Sequence, residues 1–192
     1  VDKSAKDPDP SVQKENSDLV ELMTPIVKAL LTDFGIEITN DMLQIFGGHG
    51  YIKEYGMEQF VRDARIAPIW EGTNGIQALD LAGRKMPQGM GRLLRRFFHP
   101  ALAFIEQNRS DSEMAEFVVP FEKAFRGLQK TTLFMAQKGL TNPYEIGAAA
   151  TDYLRQFGLV AIGYMWLLMI KKAFSKNGSS DYYKHKIILG RF

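Results

Sequence analysis

Apolar residues recur every three or four positions along most of this chain, which is the spacing of one face of an α-helix. The first run of this kind begins near Ser17 and ends at Phe46. Its apolar positions up to residue 38 are Leu19, Val20, Leu22, Met23, Ile26, Val27, Leu30, Leu31, Phe34 and Ile38. Pro25 lies inside the run and is expected to kink or restart the helix. Gly47 and Gly48 follow, and glycines supply the conformations that end helices.

The next elements are predicted to be shorter. Residues 47–55 read as a loop and residues 56–66 as a short helix. A further helix is expected to begin at Thr73, whose hydroxyl suits an N-cap, and to end near Lys85.

The sequence MPQGMG, residues 86–91, is the clearest linker, and we place a domain boundary there. Beyond it, longer periodic segments predict helices at about 91–107, 112–139, 143–174 and 180–192, with SKNGSS at 175–180 before the last. No segment alternates with period two over the length of a strand. The predicted fold is all-α, with one bundle ending at residue 86 and a second helical bundle over 91–192.

The two ends of the chain look different from its middle. Residues 1–14 are polar, and Pro8 and Pro10 each disfavour helix in the residue before them, so we expect a polar extended segment. Val1 is not a methionine, and the chain stops at Phe192 inside an apparently helical run. Both ends are expected to be those of a fragment or of a processed chain.

Composition excludes several classes of function. The 192 residues are 45% hydrophobic and 24% charged with a net charge of +2, which argues against a nucleic-acid partner. There is no cysteine, so disulfides, thiolate metal sites and thiol nucleophiles are excluded. The longest apolar run, residues 158–170, is shorter than the ~20 residues that a membrane span needs, and it predicts a buried helix.

Two features between Gln44 and Lys85 could carry chemistry. One is the glycine cluster GGHG at 47–50, where a bare backbone can approach a ligand closely. The other is Glu71, a lone carboxylate between Trp70 and Gly72 in an apolar stretch. Dry surroundings raise the pKa of a carboxylate and suit it to act as a general base. The residues alone favour the plainer interpretation, in which Glu71 begins a helix and the glycines only cap one.

The sequences QIFGGHGY at 44–51 and RDARIAPIWEGTNGIQALDLAGRK at 62–85 together resemble the C-terminal signature of the acyl-CoA dehydrogenase family. In that family a glutamine–glycine block precedes an Arg-Asp-Ala block that ends in aromatic-Glu-Gly-Thr. Two ordered blocks at this separation are far more specific than either block alone. The resemblance implies FAD-dependent α,β-desaturation of an acyl-CoA thioester, with electron-transfer flavoprotein as the electron acceptor.

The resemblance also assigns roles by position. Glu71 would be the base that takes the α-proton while a hydride passes to flavin N5, and Trp70 and Gly72 would contact the substrate. The residues expected to contact FAD are Gln44, Ile45, Phe46, Gly47, Gly48, Thr73, Asn74 and Gly75. In the family the first five usually touch the FAD of a neighbouring subunit, which implies a homo-oligomer.

This sequence departs from the family at two positions. Trp70 stands where tyrosine is usual, which should change the shape of the acyl pocket. Gly75 stands where several relatives have glutamine, so one flavin contact is in doubt. His49 occupies a variable position and is read as structural or surface-exposed.

The resemblance divides the chain in two. Residues 15–86 match only the end of the family's C-terminal helical domain, and the family's β-domain has no counterpart here. The chain alone is therefore expected to be inactive and not to retain FAD. Residues 91–192 are similar to the extra helical domain of a longer, methylthiopropionyl-CoA dehydrogenase-like subgroup. The basic run Arg84, Lys85, Arg92, Arg95 and Arg96 is read as a solvated face or a subunit contact.

A second interpretation keeps this fold without the oxidation. Some relatives that carry a Trp-Glu-Gly block are non-catalytic helical assemblies or nucleic-acid-associated proteins, and Trp70 allows that alternative. The expected location is a bacterial cytoplasm, with the mitochondrial matrix as the alternative.

Overall fold

The computed structural model describes residues 1–176 and 180–191, and all regular elements among them are helical. The α-helices are α1 (Asp2–Lys6), α2 (Pro10–Phe46), α3 (Gly48–Tyr51), α4 (Met57–Ile66), α5 (Asn74–Leu79), α6 (Arg92–Asn108), α7 (Ala115–Thr141), α8 (Pro143–Ser175) and α9 (Asp181–Leu189). A 3₁₀ turn covers Lys53–Tyr55, and a π-helical segment, Asp80–Lys85, continues α5. The predicted all-α fold is confirmed for these residues. Residues 177–179, within the SKNGSS segment, and Phe192 lie outside the described residues.

The predicted extended segment at residues 1–14 is wrong. Residues 2–6 form α1, and α2 begins at Pro10 rather than near Ser17. Proline is well suited to the first position of a helix, where its missing N–H would have had no partner. Asp7 and Asp9, the residues before the two prolines, are extended. The Asp9 carboxylate caps α2 by accepting from the Ser11 N–H at 2.8 Å.

α2 continues through Pro25 without restarting. The fully buried side chains of Leu22 and Ile26 flank the proline and hold the helix on the core. Burial on both sides offsets the backbone hydrogen bond that the proline ring removes.

The predicted loop at residues 47–55 is also wrong, because it folds into α3 and the 3₁₀ turn. Gly47 ends α2 at a φ of 59°, as expected. Gly50 then lies against the end of α2, where a Cβ would be 2.7 Å from the Leu43 carbonyl oxygen and from Phe46 Cβ. Only glycine permits this close approach of α3 to α2.

The core is centred on α8, which packs on α7, α2, α5 and the π-helical segment. It joins residues from both predicted bundles, and its largest fully buried side chains include Leu22, Ile26, Leu81, Leu93, Phe125, Tyr153, Phe157 and Ile170. Met86, the first residue of the predicted linker, is buried in the same core. The segments on either side of residues 86–91 therefore share one core.

Ion pairs tie α2 to the basic run. Arg92 Nη2 donates to the Asp18 carboxylate at 3.1 Å and Arg96 Nε at 3.4 Å, and Asp18 is only 4% exposed. Arg92 Nε is 3.1 Å from Asp18 Oδ2 without hydrogen-bond alignment, so that contact is purely electrostatic. Lys85, itself buried, donates to Glu21 at 2.7 Å. The predicted solvated or intersubunit role is therefore wrong for Lys85, Arg92 and Arg96, which pair with acids of their own chain.

Among the described residues, α8 is the one helix long and apolar enough to cross a membrane by length and composition alone. A central core helix satisfies the same criteria. α8 places residues in the core along much of its length, from Ala150 to Ala173.

Candidate functional site

The site predicted around Glu71 lies on the turn between α4 and α5. α4 ends at Ile66, whose carbonyl accepts from the backbone N–H of Ile69 at 3.0 Å and of Trp70 at 3.1 Å. The Asn74 N–H then donates to the Pro68 carbonyl at 3.0 Å and closes the turn. Residues 66–74 thus form a compact element of defined shape, which we call the glutamate turn.

Glu71 has a φ of 53°, which is left-handed backbone that residues other than glycine rarely adopt. Gly72 follows with a φ of 87°. A left-handed conformation at a residue with a side chain costs about 1–3 kcal/mol and persists only where surrounding contacts impose it. Backbone of this kind is concentrated at functional sites, which is an argument for function that the sequence did not supply.

Lys28 of α2 supplies one of those contacts. Its half-buried ammonium group donates to the Gly72 carbonyl oxygen at 2.7 Å and to Asn74 Oδ1 at 2.9 Å. A hydrogen bond from a charged donor contributes about 1.5–3 kcal/mol. The free energy contributed by the Lys28 contacts is therefore comparable with the backbone strain energy at Glu71.

The Asn74 side chain is the second contact between the turn and α2. Its amide nitrogen lies within hydrogen-bond distance of the Ala29 carbonyl (3.1 Å), Thr32 Oγ1 (3.0 Å) and Asp33 Oδ1 (2.7 Å). Its amide oxygen already accepts from Lys28. Because the side chain is saturated by α2, a flavin contact made by Asn74 would have to come from its main chain.

The hydroxyl of Thr73 caps α5, as the sequence predicts, by accepting from the Ile76 N–H at 3.3 Å. Gln77 reaches back over the turn, with its amide nitrogen 3.4 Å from the Glu71 carbonyl oxygen. The turn is therefore held from α5 as well as from α2.

The surroundings of Glu71 are not dry in this chain. Glu71 is exposed, and so are its apolar neighbours Ile66, Ile69 and Trp70, the last at 61%. Pro68 is the buried member of the stretch. The apolar environment expected from the sequence is not formed by the described residues.

The residues expected to contact FAD form two separate groups. Gln44, Ile45, Phe46, Gly47 and Gly48 are all exposed at the end of α2. Thr73 and Gly75 are exposed beside the glutamate turn, which is attached to α2 at residues 28–33. From residue 32 to residue 44 a helix rises about 18 Å, so the two groups lie at different levels of α2.

Both groups are compatible with a flavin. A Cβ added at Gly47 or Gly48 would meet nothing within 4 Å, and one added at Gly75 would meet only Thr73 Oγ1 at 4.0 Å. The main chain at each group is open to a ligand. His49, in the first group, is exposed with its ring edge-on to Tyr55 at 5.0 Å, which fits its predicted surface role.

The residues that sequence reasoning missed are Lys28, Thr32 and Asp33. Lys28 and Thr32 are four positions apart and share a helical face, and a lysine beside buried Ala29 within an otherwise apolar run was the available signal. Their partner, Asn74, lies more than forty residues away in the sequence.

One large cavity lies away from the glutamate turn. It is an apolar groove of about 810 Å³ between the 86–98 region and α7, with Met86, Leu94, Phe98, Leu133 and Leu140 among its lining residues. Glu71 does not line it. The candidate site is therefore an exposed turn rather than an enclosed pocket.

Comparison with known sequences matches both halves of the chain. Residues 11–86 match the profile described as acyl-CoA dehydrogenase, C-terminal domain. Residues 97–192 match the profile described as acetyl-CoA dehydrogenase C-terminal like. The second match covers the segment that resembles the extra helical domain of the longer subgroup.

Similar proteins are named as dehydrogenases of acyl-CoA thioesters. A 3-methylmercaptopropionyl-CoA dehydrogenase of Ruegeria pomeroyi is 48% identical over 83 residues, which is 43% of this chain and 14% of that protein. A butyryl-CoA dehydrogenase of Syntrophomonas wolfei is 27% identical over 191 residues, which is 96% of this chain and 31% of that protein. The chain thus spans less than a third of the length of these relatives.

A solved structure shares the fold. Caenorhabditis elegans ACDH-11, determined in complex with C11-CoA, matches with a TM-score of 0.71 and 21% sequence identity over 92% of this chain and 29% of that chain. The two family profiles together match the whole chain except residues 1–10 and 87–96. The chain belongs to the acyl-CoA dehydrogenase family and corresponds to the C-terminal domains of its members.

Proposed function

We propose that this chain is the C-terminal part of an FAD-dependent acyl-CoA dehydrogenase in which Glu71 is the catalytic base. The observation that carries the proposal is the left-handed backbone of Glu71 on an exposed turn that is fastened to α2. A carboxylate displayed in this way can meet a substrate held by another part of the protein. Its position within aromatic-Glu-Gly-Thr supports the same role.

The proposed chemistry removes two hydrogens from adjacent carbons of the acyl group. The Glu71 carboxylate takes the α-proton, and the electron pair of that C–H bond becomes the second bond between the α and β carbons. Bound FAD supplies the two-electron acceptor for the hydride that leaves the β carbon. The proton remains on Glu71 until it is released to solvent, and the acyl-CoA becomes the 2-enoyl-CoA.

A carboxylate can perform this step only where water is excluded and the thioester oxygen is stabilised. The exposed apolar residues Ile66, Ile69 and Trp70 around Glu71 would be covered by the rest of the enzyme. That contact would exclude water from the Glu71 carboxylate. Trp70 and Gly72 would border the acyl thioester. The broad indole of Trp70 would then shape the pocket where most relatives have a tyrosine.

The two open glycine-containing groups are the proposed flavin contacts. Thr73 and Gly75, with the main chain of Asn74, would contact the FAD that serves Glu71. Residues 44–48 would contact the FAD of a neighbouring subunit. Their separation along α2 supports this division and, with it, a homo-oligomer. The electron acceptor proposed from the family resemblance is electron-transfer flavoprotein.

The proposed substrate is a saturated acyl-CoA. The names of the relatives include a thioether-containing acyl group and a short straight chain, and C11-CoA is bound to ACDH-11. These acyl groups differ in length and type, so the proposal specifies a saturated acyl-CoA thioester but no particular acyl chain. The proposed location is the bacterial cytoplasm.

The test uses the full-length protein, loaded with FAD and mixed without oxygen with saturated acyl-CoAs of several lengths. Loss of the absorbance band of oxidised flavin reports the reduction of FAD. Glu71→Gln should abolish bleaching while FAD remains bound, and Glu54→Gln, an exposed glutamate on the 3₁₀ turn, should bleach normally.

Two results would count against the proposal. Normal bleaching by Glu71→Gln would assign the base to another residue. A wild-type protein that binds FAD but is reduced by none of the acyl-CoAs would favour the non-catalytic alternative.

A further inference from the structure

Lys28 presents its charge to neutral oxygen atoms. Its ammonium group donates to the carbonyl of Gly72 and to the side-chain oxygen of Asn74, at 2.7 and 2.9 Å. None of the ion pairs formed by residues 1–176 and 180–191 involves Lys28. A half-buried cation gives up hydration, and here its contacts go to the glutamate turn.

The atoms that Lys28 holds immediately follow the strained residue. The Gly72 carbonyl belongs to the peptide unit between Gly72 and Thr73, one unit beyond Glu71, and its direction depends on the backbone angles of Gly72. The Asn74 contact fixes the far side of the same turn, where the Asn74 N–H also binds the Pro68 carbonyl. With these contacts in place, a return of Glu71 to negative φ requires compensating changes in the backbone of Gly72 and Thr73 or loss of the Lys28 contacts.

The part of α2 that holds the glutamate turn is rigid. Lys28, Thr32 and Asp33 project from the middle of a 37-residue helix, next to the buried residues Ala29 and Leu30. The Asn74 amide reaches three of those positions, Ala29, Thr32 and Asp33. The glutamate turn is therefore hydrogen-bonded to a packed helix rather than to another loop. Support from a rigid element is what holds a functional group in position to within a fraction of an ångström.

We propose that Lys28 is a positioning residue for Glu71, holding the Gly72 carbonyl and the Asn74 amide so that the turn keeps the left-handed backbone that aims the carboxylate. The proposal rests on Glu71 as the base. Without the ammonium group, Glu71 would adopt other backbone angles and spend less time aligned with the α-proton. Loss of alignment lowers the rate of the chemical step far more than it lowers the affinity for substrate.

The experiment compares Lys28→Met with wild type in the full-length, FAD-loaded protein. Methionine keeps the length of the side chain and removes its charge and donors. Stopped-flow bleaching over a range of acyl-CoA concentrations gives the limiting reduction rate and the substrate dissociation constant separately. We expect the limiting rate to fall about tenfold or more and the dissociation constant to change less than about threefold, with FAD retained.

Two further variants complete the test. Lys28→Arg retains charge and donors and should recover part of the lost rate, which a general loss of packing would not allow. Lys14→Met, an exposed lysine on the same helix, should reduce as fast as wild type. If Lys28→Met does not fold, Lys28→Arg becomes the deciding variant, with a several-fold lower limiting rate expected at unchanged affinity.

A wild-type limiting rate in Lys28→Met, or in Lys28→Arg if only that variant folds, would overturn the positioning role. So would an effect confined to the dissociation constant. The result with Glu71→Gln separates this failure from failure of the proposed function. If Glu71→Gln is inactive and Lys28→Met is normal, the base stands and only the role of Lys28 is wrong.

Discussion

The ammonium nitrogen of Lys28 lies 2.7 Å from the carbonyl oxygen of Gly72, a residue 44 positions later in the sequence. This contact joins the middle of α2 to the turn that carries Glu71. It relates a helix that looks purely structural in sequence to the one carboxylate that the family signature singles out. The geometry of the proposed base therefore depends on a residue outside the signature.

The isolated 192-residue chain is expected to bind FAD weakly or not at all. Its two proposed flavin contacts are exposed main-chain groups at different levels of α2, and neither encloses a ring system. Purification with excess FAD followed by gel filtration, with the absorbance read at flavin wavelengths, checks this. A yellow protein with about one flavin per chain would contradict it.

Replacement of Gly158 by alanine should destabilise the protein by about 1–3 kcal/mol. The new Cβ would lie 2.7 Å from Leu30 Cδ2 and 3.2 Å from Leu30 Cδ1, at the crossing of α8 and α2. Leu30 is itself buried, so it has little room to move. Urea unfolding followed by circular dichroism measures the change.

The matched control is Gly147→Ala on the same helix. Gly147 is exposed, and its added Cβ would be 3.8 Å from Leu79 Cδ2, an ordinary contact. Because alanine favours helix more than glycine, this variant should be unchanged or more stable by up to about 1 kcal/mol. Equal losses in the two variants would show that the close contact at Leu30 is not what matters.

Replacement of Asp18 by asparagine should cost about 1–3 kcal/mol of stability. The variant leaves Arg92 and Arg96 facing a neutral group in place of a buried carboxylate. This loss is smaller than that expected for breaking a fully buried ion pair, because the Arg92 and Arg96 side chains are 38% and 30% exposed and solvent screens the interaction. Asp41→Asn, on the exposed side of the same helix, should have no effect within error in the same urea titration.

The contribution of Glu21 to stability should depend on pH. The Lys85 ammonium, which donates to this carboxylate, and the Gln88 amide hold the pKa of Glu21 below its ordinary value of 4.5. A lowered folded-state pKa means that the contribution is fully present above pH 4.5 and is lost as the pH falls through the lowered value.

Comparison of Glu21→Gln with wild type from pH 7 to pH 3 tests this contribution. The stability difference between the two proteins should be largest near neutral pH and shrink on the acid side of pH 4.5. A difference that stays constant over the whole range would show that the pair with Lys85 contributes no charge-dependent stability.

The periodicity of apolar residues alone determined that the chain is helical, and it placed most helices after residue 56 to within a few positions. The two signature blocks indicated the family and singled out Glu71 as the candidate base. These features are local or depend on residue type, so they can be read without knowing which segments meet. The errors arose where local rules competed, as at Pro10, where proline begins a helix rather than preventing one.

Only the tertiary structure decided how Glu71 is held and what the basic residues do. The sequence shows neither that Lys28 and Asn74 meet nor that Asp18 lies between Arg92 and Arg96. Each of these contacts joins residues more than forty positions apart, and it exists because α2 packs simultaneously on α5, α6 and α8. Packing brings distant residues together through the burial of apolar surface, and the polar contacts then depend on geometry that no short stretch of sequence contains.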